Sequence, residues 1–137
     1  MMIEEIDNPD SEYYIILDNA SEKEPSTIWD IHPNQLHMKN SIIEALKNVQ
    51  DSEIPTSVYN LGLFYKIKID SVGNTEVVFT LTTPNCPEAE TLPYRIESAL
   101  LGVKEIPPDG LSMILVWEPE WKVNYMPNVI KMMLGIY

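Results

Sequence analysis

Leu63-Phe64-Tyr65-Lys66-Ile67-Lys68-Ile69-Asp70, then Ser71-Val72-Gly73-Asn74, then Thr75-Glu76-Val77-Val78-Phe79-Thr80-Leu81-Thr82, is the stretch whose pattern decides the fold. Leu63, Tyr65, Ile67 and Ile69 alternate with Phe64, Lys66, Lys68 and Asp70, the period of two expected of a half-buried strand. Residues 71–74 read as a turn, and Val77, Phe79 and Leu81 form the buried face of a second strand. The pair is a predicted β-hairpin. Thr80 and Thr82 fall on the opposite face from Phe79, so hydroxyls lead along the chain toward Cys86.

On the amino-terminal side, Met38, Ile42, Ala45, Leu46 and Val49 recur at spacings of three and four, which predicts a helix over residues 35–49 with one apolar face. Asp51-Ser52-Glu53-Ile54-Pro55 ends it, because the residue before proline avoids helical geometry. On the carboxyl side, Leu92, Ile96, Ala99, Leu100 and Val103 share a second helical face, with Gly102 suited to a left-handed end. Its start is open between Pro87 and Pro93, since either proline fits the first helical turn.

Leu111-Ser112-Met113-Ile114-Leu115-Val116-Trp117 is apolar on both alternations, as in an interior strand covered on both faces. If it runs parallel to the second hairpin strand, a right-handed crossover should join them. Pro127, then Val129, Ile130, Met133 and Leu134, then Gly135, mark a short last helix. The expected class is α+β: a small mixed sheet with a hairpin and a third interior strand, covered by about three helices.

At 15.7 kDa the chain suits one domain with one appendage. Of its formal charge of −12, residues 1–35 carry −8 and residues 36–137 carry −4, so the acidity concentrates in an amino-terminal extension. Within it Tyr13-Tyr14-Ile15-Ile16-Leu17 is a compact apolar run, read as an added edge strand or a segment that docks on another protein. Net negative charge argues against nucleic acid and anionic membranes as partners. No apolar run reaches a spanning length, the first residues are acidic, and one cysteine among 137 residues suits a reducing compartment, so a cytoplasmic location is expected.

That cysteine, Cys86, cannot form a disulfide within the chain and is either an ordinary core thiol or a reactive centre. At the start of a helix beginning at Pro87, free N–H groups would favour the thiolate, while Glu88 and Glu90 oppose it. A cysteine hydrolase would need a nearby base, and only His32 and His37 exist, both in or beside the extension. Asp51 and Glu53 are either paired carboxylates or ordinary turn caps. Trp117-Glu118-Pro119-Glu120-Trp121 offers two indoles that serve as packing groups or as anchors for a partner. Phosphate-loop, paired CxxC and HExxH signatures are absent from the sequence.

Taken in order, Asp51-Ser52-Glu53-Ile54-Pro55, Asn60-Leu61-Gly62-Leu63-Phe64-Tyr65, residues 80–87, Trp117-Glu118-Pro119-Glu120-Trp121 and Leu134-Gly135 resemble the MIP18-like (DUF59) family, which includes SufT-like and PaaD-like proteins. The resemblance covers about residues 38–137. It departs at Ser52 and Asn60, where the family usually has Pro and Asp, at Glu118 and Glu120 in a usual Asp-Pro-Pro-Trp, and at Pro93 in a usually continuous helix. It implies a non-enzymatic role in iron–sulfur protein maturation, with Cys86 as the functional thiol and Asp51, Glu53, Thr82 and Thr83 around it; Trp117 and Trp121 stand, on their own chemistry, as the partner-binding candidates. The partners the resemblance implies are assembly machinery or client apo-proteins; a homodimer is a further arrangement, one that would bring two copies of Cys86 together. One thiolate is too few for a cluster that usually takes four protein ligands, so no cofactor is expected to stay on a monomer and any iron–sulfur cluster at Cys86 would be transient or shared between chains. Two other readings stand beside this one: a thiol enzyme performing acyl or persulfide transfer, and a plain adaptor with an inert Cys86.

Overall fold

The computed structural model describes residues 3–6, 23–51, 54–83 and 91–136. Among the described residues five strands make one mixed sheet: β1 (Ile3–Ile6), β2 (Ile28–Ile31), β3 (Phe64–Ile69), β4 (Thr75–Phe79) and β5 (Leu111–Val116), in the spatial order β1-β5-β4-β3-β2. The helices among the described residues are α1 (Met38–Lys47), α2 (Leu92–Leu101) and α3 (Asn128–Met133). β3 and β4 pair antiparallel as the expected hairpin, while β4–β5, β1–β5 and β2–β3 are parallel. β5 therefore has a neighbour on each side, as an interior strand should, and the chain passes through α2 between β4 and β5.

Among the described strands the two outermost, Ile3–Ile6 and Ile28–Ile31, both come from the first 35 residues. Neither is the apolar run at residues 13–17, which lies outside the described residues. The compositional break at residue 35 falls between β2 and α1.

The main core lies between one sheet face and the helices. Ile67 and Ile69 of β3, Val77 and Phe79 of β4, and Met113 and Leu115 of β5 meet Met38, Ile42 and Leu46 of α1 and Leu92, Ile96 and Leu100 of α2. The three-and-four spacing of α1 thus becomes buried surface, and the helix stops at Lys47, shorter than the expected 35–49, with a separate 3-10 turn at Pro33–Gln35. α2 begins at Leu92, so Pro93 sits in the first turn, where a missing N–H costs no helical bond. Gly102 is not left-handed: its φ is −78°, and Gly102 N–H and Val103 N–H close the helix by donating to Ala99 O and Leu100 O. Those three-residue bonds tighten the last turn without a change of handedness. The left-handed end occurs at Gly135 instead, with φ +75° and bonds from Gly135 N to Met132 O and Ile136 N to Lys131 O.

The strict alternation expected of β3 is broken. The register shifts between Phe64 and Lys66, so that Phe64 pairs with Phe79 and Lys66 pairs with Val78. An extra residue in one strand reverses the facing of what precedes it. Phe64 accordingly joins the main core, and Tyr65 joins a second cluster on the opposite sheet face with Val78, Val116 and Tyr125. Tyr65 and Tyr125 meet edge to face, 5.6 Å between ring centroids.

This second cluster also corrects the expectation that β5 is covered on both faces along its length. Val116 is buried, but Ile114 is half-buried and Ser112 is exposed, because Trp121 and Tyr125 cover only the carboxyl end of that face. Among the described residues no helix is long and apolar enough to cross a membrane.

A buried phenol ties the segment before β2 to the connection between α1 and β3. Tyr59 Oη donates to Glu24 Oε2 at 2.5 Å, and its pKa is raised by burial first and by the Glu24 carboxylate second. A raised phenol pKa contributes stability that is complete below the unfolded value of about 10 and is lost as pH rises toward the folded one. Tyr59→Phe should therefore flatten the alkaline fall in stability, and cost about 1 kcal/mol near neutral pH because Glu24 loses a donor. Urea unfolding near neutrality and above about pH 10 checks both parts; an unchanged alkaline slope would exclude Tyr59 as its source.

Candidate functional site

Because β4 and β5 are parallel and Phe79 pairs with Leu115, both strands end at the same edge of the fold. Two strand-end segments, residues 80–83 and 117–121, face each other there across a cleft of about 310 Å³. Thr80, Leu81, Thr82 and Thr83 line one side, and Trp117, Glu118, Glu120 and Trp121 line the other. Ligand sites in sheets with parallel strands commonly lie outside the carboxyl ends of those strands.

The wall formed by residues 117–121 is fixed from behind. Tyr65 Oη donates to Pro119 O at 2.6 Å, a bond that exists because the bulge turns Tyr65 to this face. Trp121 Nε1 donates to Leu61 O at 2.6 Å. Gly62, beside that acceptor, has φ +75°, and a Cβ there would collide with the backbone carbonyl of Tyr125. The Leu61-Gly62 turn, the bulge and the carboxyl-terminal strap therefore form one clamp.

Thr80 is almost fully buried at 1% exposure, and its hydroxyl makes a long 3.4 Å contact with Leu81 O. Thr82, Thr83, Trp117 and Trp121 are half-buried, whereas Glu118 and Glu120 are exposed at the mouth. Asp51 is buried and does not line the cleft; its Oδ1 accepts from Ile54 N at 2.9 Å, closing the turn after α1. Glu53 and Cys86 lie outside the described residues. The structure thus brings Thr82 and Thr83 together with Trp117 and Trp121, and gives Asp51 a turn-closing bond.

His32 is exposed, with its Nδ1 bonded to Asn34, and His37 is exposed at the start of α1. Among the described residues no three His, Cys, Asp or Glu side chains gather as a metal-ligand set. In the sequence Thr80 stands out only as a hydroxyl facing away from Phe79, and Glu118 and Glu120 only as departures from the family motif; their place on one cleft and the Tyr65 clamp come from the structure. Parallel pairing of the two strands is the signal that would have joined residues 80–83 to 117–121.

Residues 39–107 match the family described as iron–sulfur cluster assembly protein. A protein of Porphyromonas gingivalis named Fe-S protein maturation auxiliary factor is 35% identical over 100 residues, covering 73% of this chain and 93% of that one. The chain belongs to the iron–sulfur cluster assembly protein family. Another similar protein, Fe-S protein maturation auxiliary factor YitW of Bacillus subtilis, is 33% identical over 99 residues, covering 72% of this chain and 95% of its own. A crystal structure of a DUF59 domain of unknown function from Bacillus anthracis superposes with a TM-score of 0.64 at 28% identity, covering 74% of this chain and 94% of that chain. The family match runs from α1 through α2 and includes Asp51, Glu53, Thr82, Thr83 and Cys86. The strap with Trp117 and Trp121 lies beyond the residues matched to the iron–sulfur cluster assembly protein family.

Proposed function

We propose that this protein is an accessory factor in iron–sulfur protein maturation, acting through Cys86 within a complex with assembly machinery or client apo-proteins. The observation that carries this reading is the cleft at the carboxyl ends of β4 and β5. One of its walls, residues 80–83, ends three residues before the chain's single cysteine. The names of the relatives, maturation auxiliary factors, support a non-catalytic role.

The supply of ligands sets the mode of action. A cluster commonly takes four protein thiolates and this chain has one, so a cluster is cargo held in passing, with the remaining ligands from a partner or a second copy. Cys86 supplies a thiolate, which is the form that binds iron. Thr82 and Thr83 support that end of the chain, and Trp117 and Trp121 form the wall that a partner meets.

Cys86→Ala is expected to leave the circular dichroism spectrum unchanged and to lower the activity of iron–sulfur client enzymes several-fold in a strain that depends on the protein. Unchanged client activity in such a strain would reject the reading. Anaerobic reconstitution with iron and sulfide, followed by absorption and mass measurement, tests the mode: the monomer should retain no cluster. A stable cluster on the isolated monomer would replace transient carriage with resident binding.

A further inference from the structure

We propose that the cleft between residues 80–83 and 117–121 receives an arginine side chain presented by a partner protein. The inference deepens the proposed function and rests on its reading that partners meet the protein at this end of the sheet. Three kinds of lining group select the occupant. Two half-buried indoles, Trp117 and Trp121, contribute aromatic surface to the lining, the kind of surface that suits an aliphatic stem and a cationic head. Glu118 and Glu120 place carboxylates at the mouth, which accept hydrogen bonds and repel anions. Thr80 lies at 1% exposure on the lining; its hydroxyl donates toward Leu81 O at 3.4 Å, and the lone pairs of the same oxygen can accept from an N–H donor.

Carboxylates alone would only describe a solvated acidic rim. Their convergence with two indoles and a buried hydroxyl around a space of about 310 Å³ describes a receptor for a long cationic side chain. A phosphate or carboxylate ligand meets the wrong charge. A fully apolar ligand would strip water from hydroxyls and carboxylates without replacing their bonds. Arginine suits the cleft better than lysine because its planar head stacks on indoles and donates in several directions at once.

The receptor is also preformed. Pro119, between the two glutamates, is pinned by Tyr65, and Trp121 is pinned by Leu61, so little ordering remains for the bound state. The net charge of −12 further favours approach by basic surfaces and makes that approach sensitive to salt.

The test uses the full chain labelled with ¹⁵N, whose three tryptophans, Trp29, Trp117 and Trp121, each give an indole N–H signal. The probe is acetyl-Gly-Arg-Gly-amide, with citrulline and lysine peptides as neutral and cationic controls. The arginine peptide should shift Trp117 and Trp121 saturably and leave Trp29 in place, since Trp29 sits on β2 beneath Lys39. Citrulline should bind about tenfold more weakly, and Glu120→Gln should weaken arginine binding by about the same factor. Glu120 is exposed, so this variant keeps the fold. Equal responses to arginine and citrulline, uniform shifts of all three indoles, or a Glu120→Gln variant that titrates like wild type would overturn the proposal. An equal response to lysine would overturn the assignment to arginine. Cys86→Ala should bind the peptide as wild type does, which separates the two ideas. Lost peptide binding with Cys86-dependent client activity intact removes this inference alone, and the converse result removes the reading it rests on.

Discussion

Gly62→Ala is expected to destabilise the protein by about 3 kcal/mol or more, lowering the thermal midpoint by roughly 10 °C. Two costs combine. The backbone at Gly62 has φ +75°, a left-handed geometry that costs an ordinary L residue about 1–2 kcal/mol. The new Cβ would also lie 2.8 Å from the Tyr125 carbonyl carbon and 2.9 Å from Tyr125 Cβ, and closer still to Tyr125 O. Those are backbone and near-backbone atoms of a buried residue, so the clash cannot be relieved by rotating a flexible side chain.

Gly135→Ala separates the two costs. Gly135 has the same φ, +75°, with nothing within 4 Å of the added Cβ, so only the backbone cost applies and about 1 kcal/mol should be lost. Urea midpoints of the two variants measure the difference; equal losses would show that close approach at Gly62 is unimportant. Displacing Tyr125 also loosens the clamp behind the cleft, because Leu61, next to Gly62, accepts the Trp121 indole bond. Gly62→Ala should therefore move the Trp121 indole signal, and Gly135→Ala should leave it.

The hairpin, the apolar face of α1 and the interior position of β5 are legible because each rests on a local period in the sequence. The bulge is not. Phe64 and Tyr65 are both large and apolar, so an alternation running through Leu63, Tyr65 and Ile67 looks unbroken, and nothing local reveals that Phe64 belongs with Ile67. The edge strands are hidden for a different reason. Ile3–Ile6 and Ile28–Ile31 are four residues each, and both pair in parallel with segments distant along the chain. Their identity comes from the sheet they join, and periodicity cannot register it over so short a span.

The site divides along the same line. Thr82, Thr83, Trp117 and Trp121 stand out as residues, yet their meeting in one cleft is a consequence of parallel pairing between β4 and β5. Glu120 looks like any surface acid until that pairing sets it opposite the threonines. Asp51, grouped with the thiol by resemblance, closes a turn by accepting from Ile54 N, the capping role its place before Ile54-Pro55 also allows.

Phe79→Ala should cost about 3–5 kcal/mol, the range for emptying a phenylalanine site in a packed core. Phe79 is fully buried at the end of β4, paired across the hairpin with Phe64 at 6.4 Å between ring centroids. Its neighbours leave little scope for collapse, since Phe64 is held by the bulge and Leu115 by its place in an interior strand. Tyr94→Ala supplies the comparison: Tyr94 is 58% exposed on α2, and its loss should stay within about 0.5 kcal/mol. Phe79→Leu, which retains much of the volume, should recover most of the stability. The functional consequence follows from position, because Thr80 comes next in the chain and begins the wall of the cleft. A hole beneath that strand end should let residues 80–83 settle inward, so Phe79→Ala should weaken arginine-peptide binding even under conditions where the chain is fully folded. Phe79→Leu should restore binding along with stability. Binding that stays at the wild-type level in folded Phe79→Ala would show that the cleft wall is held by the strap of residues 117–121 alone.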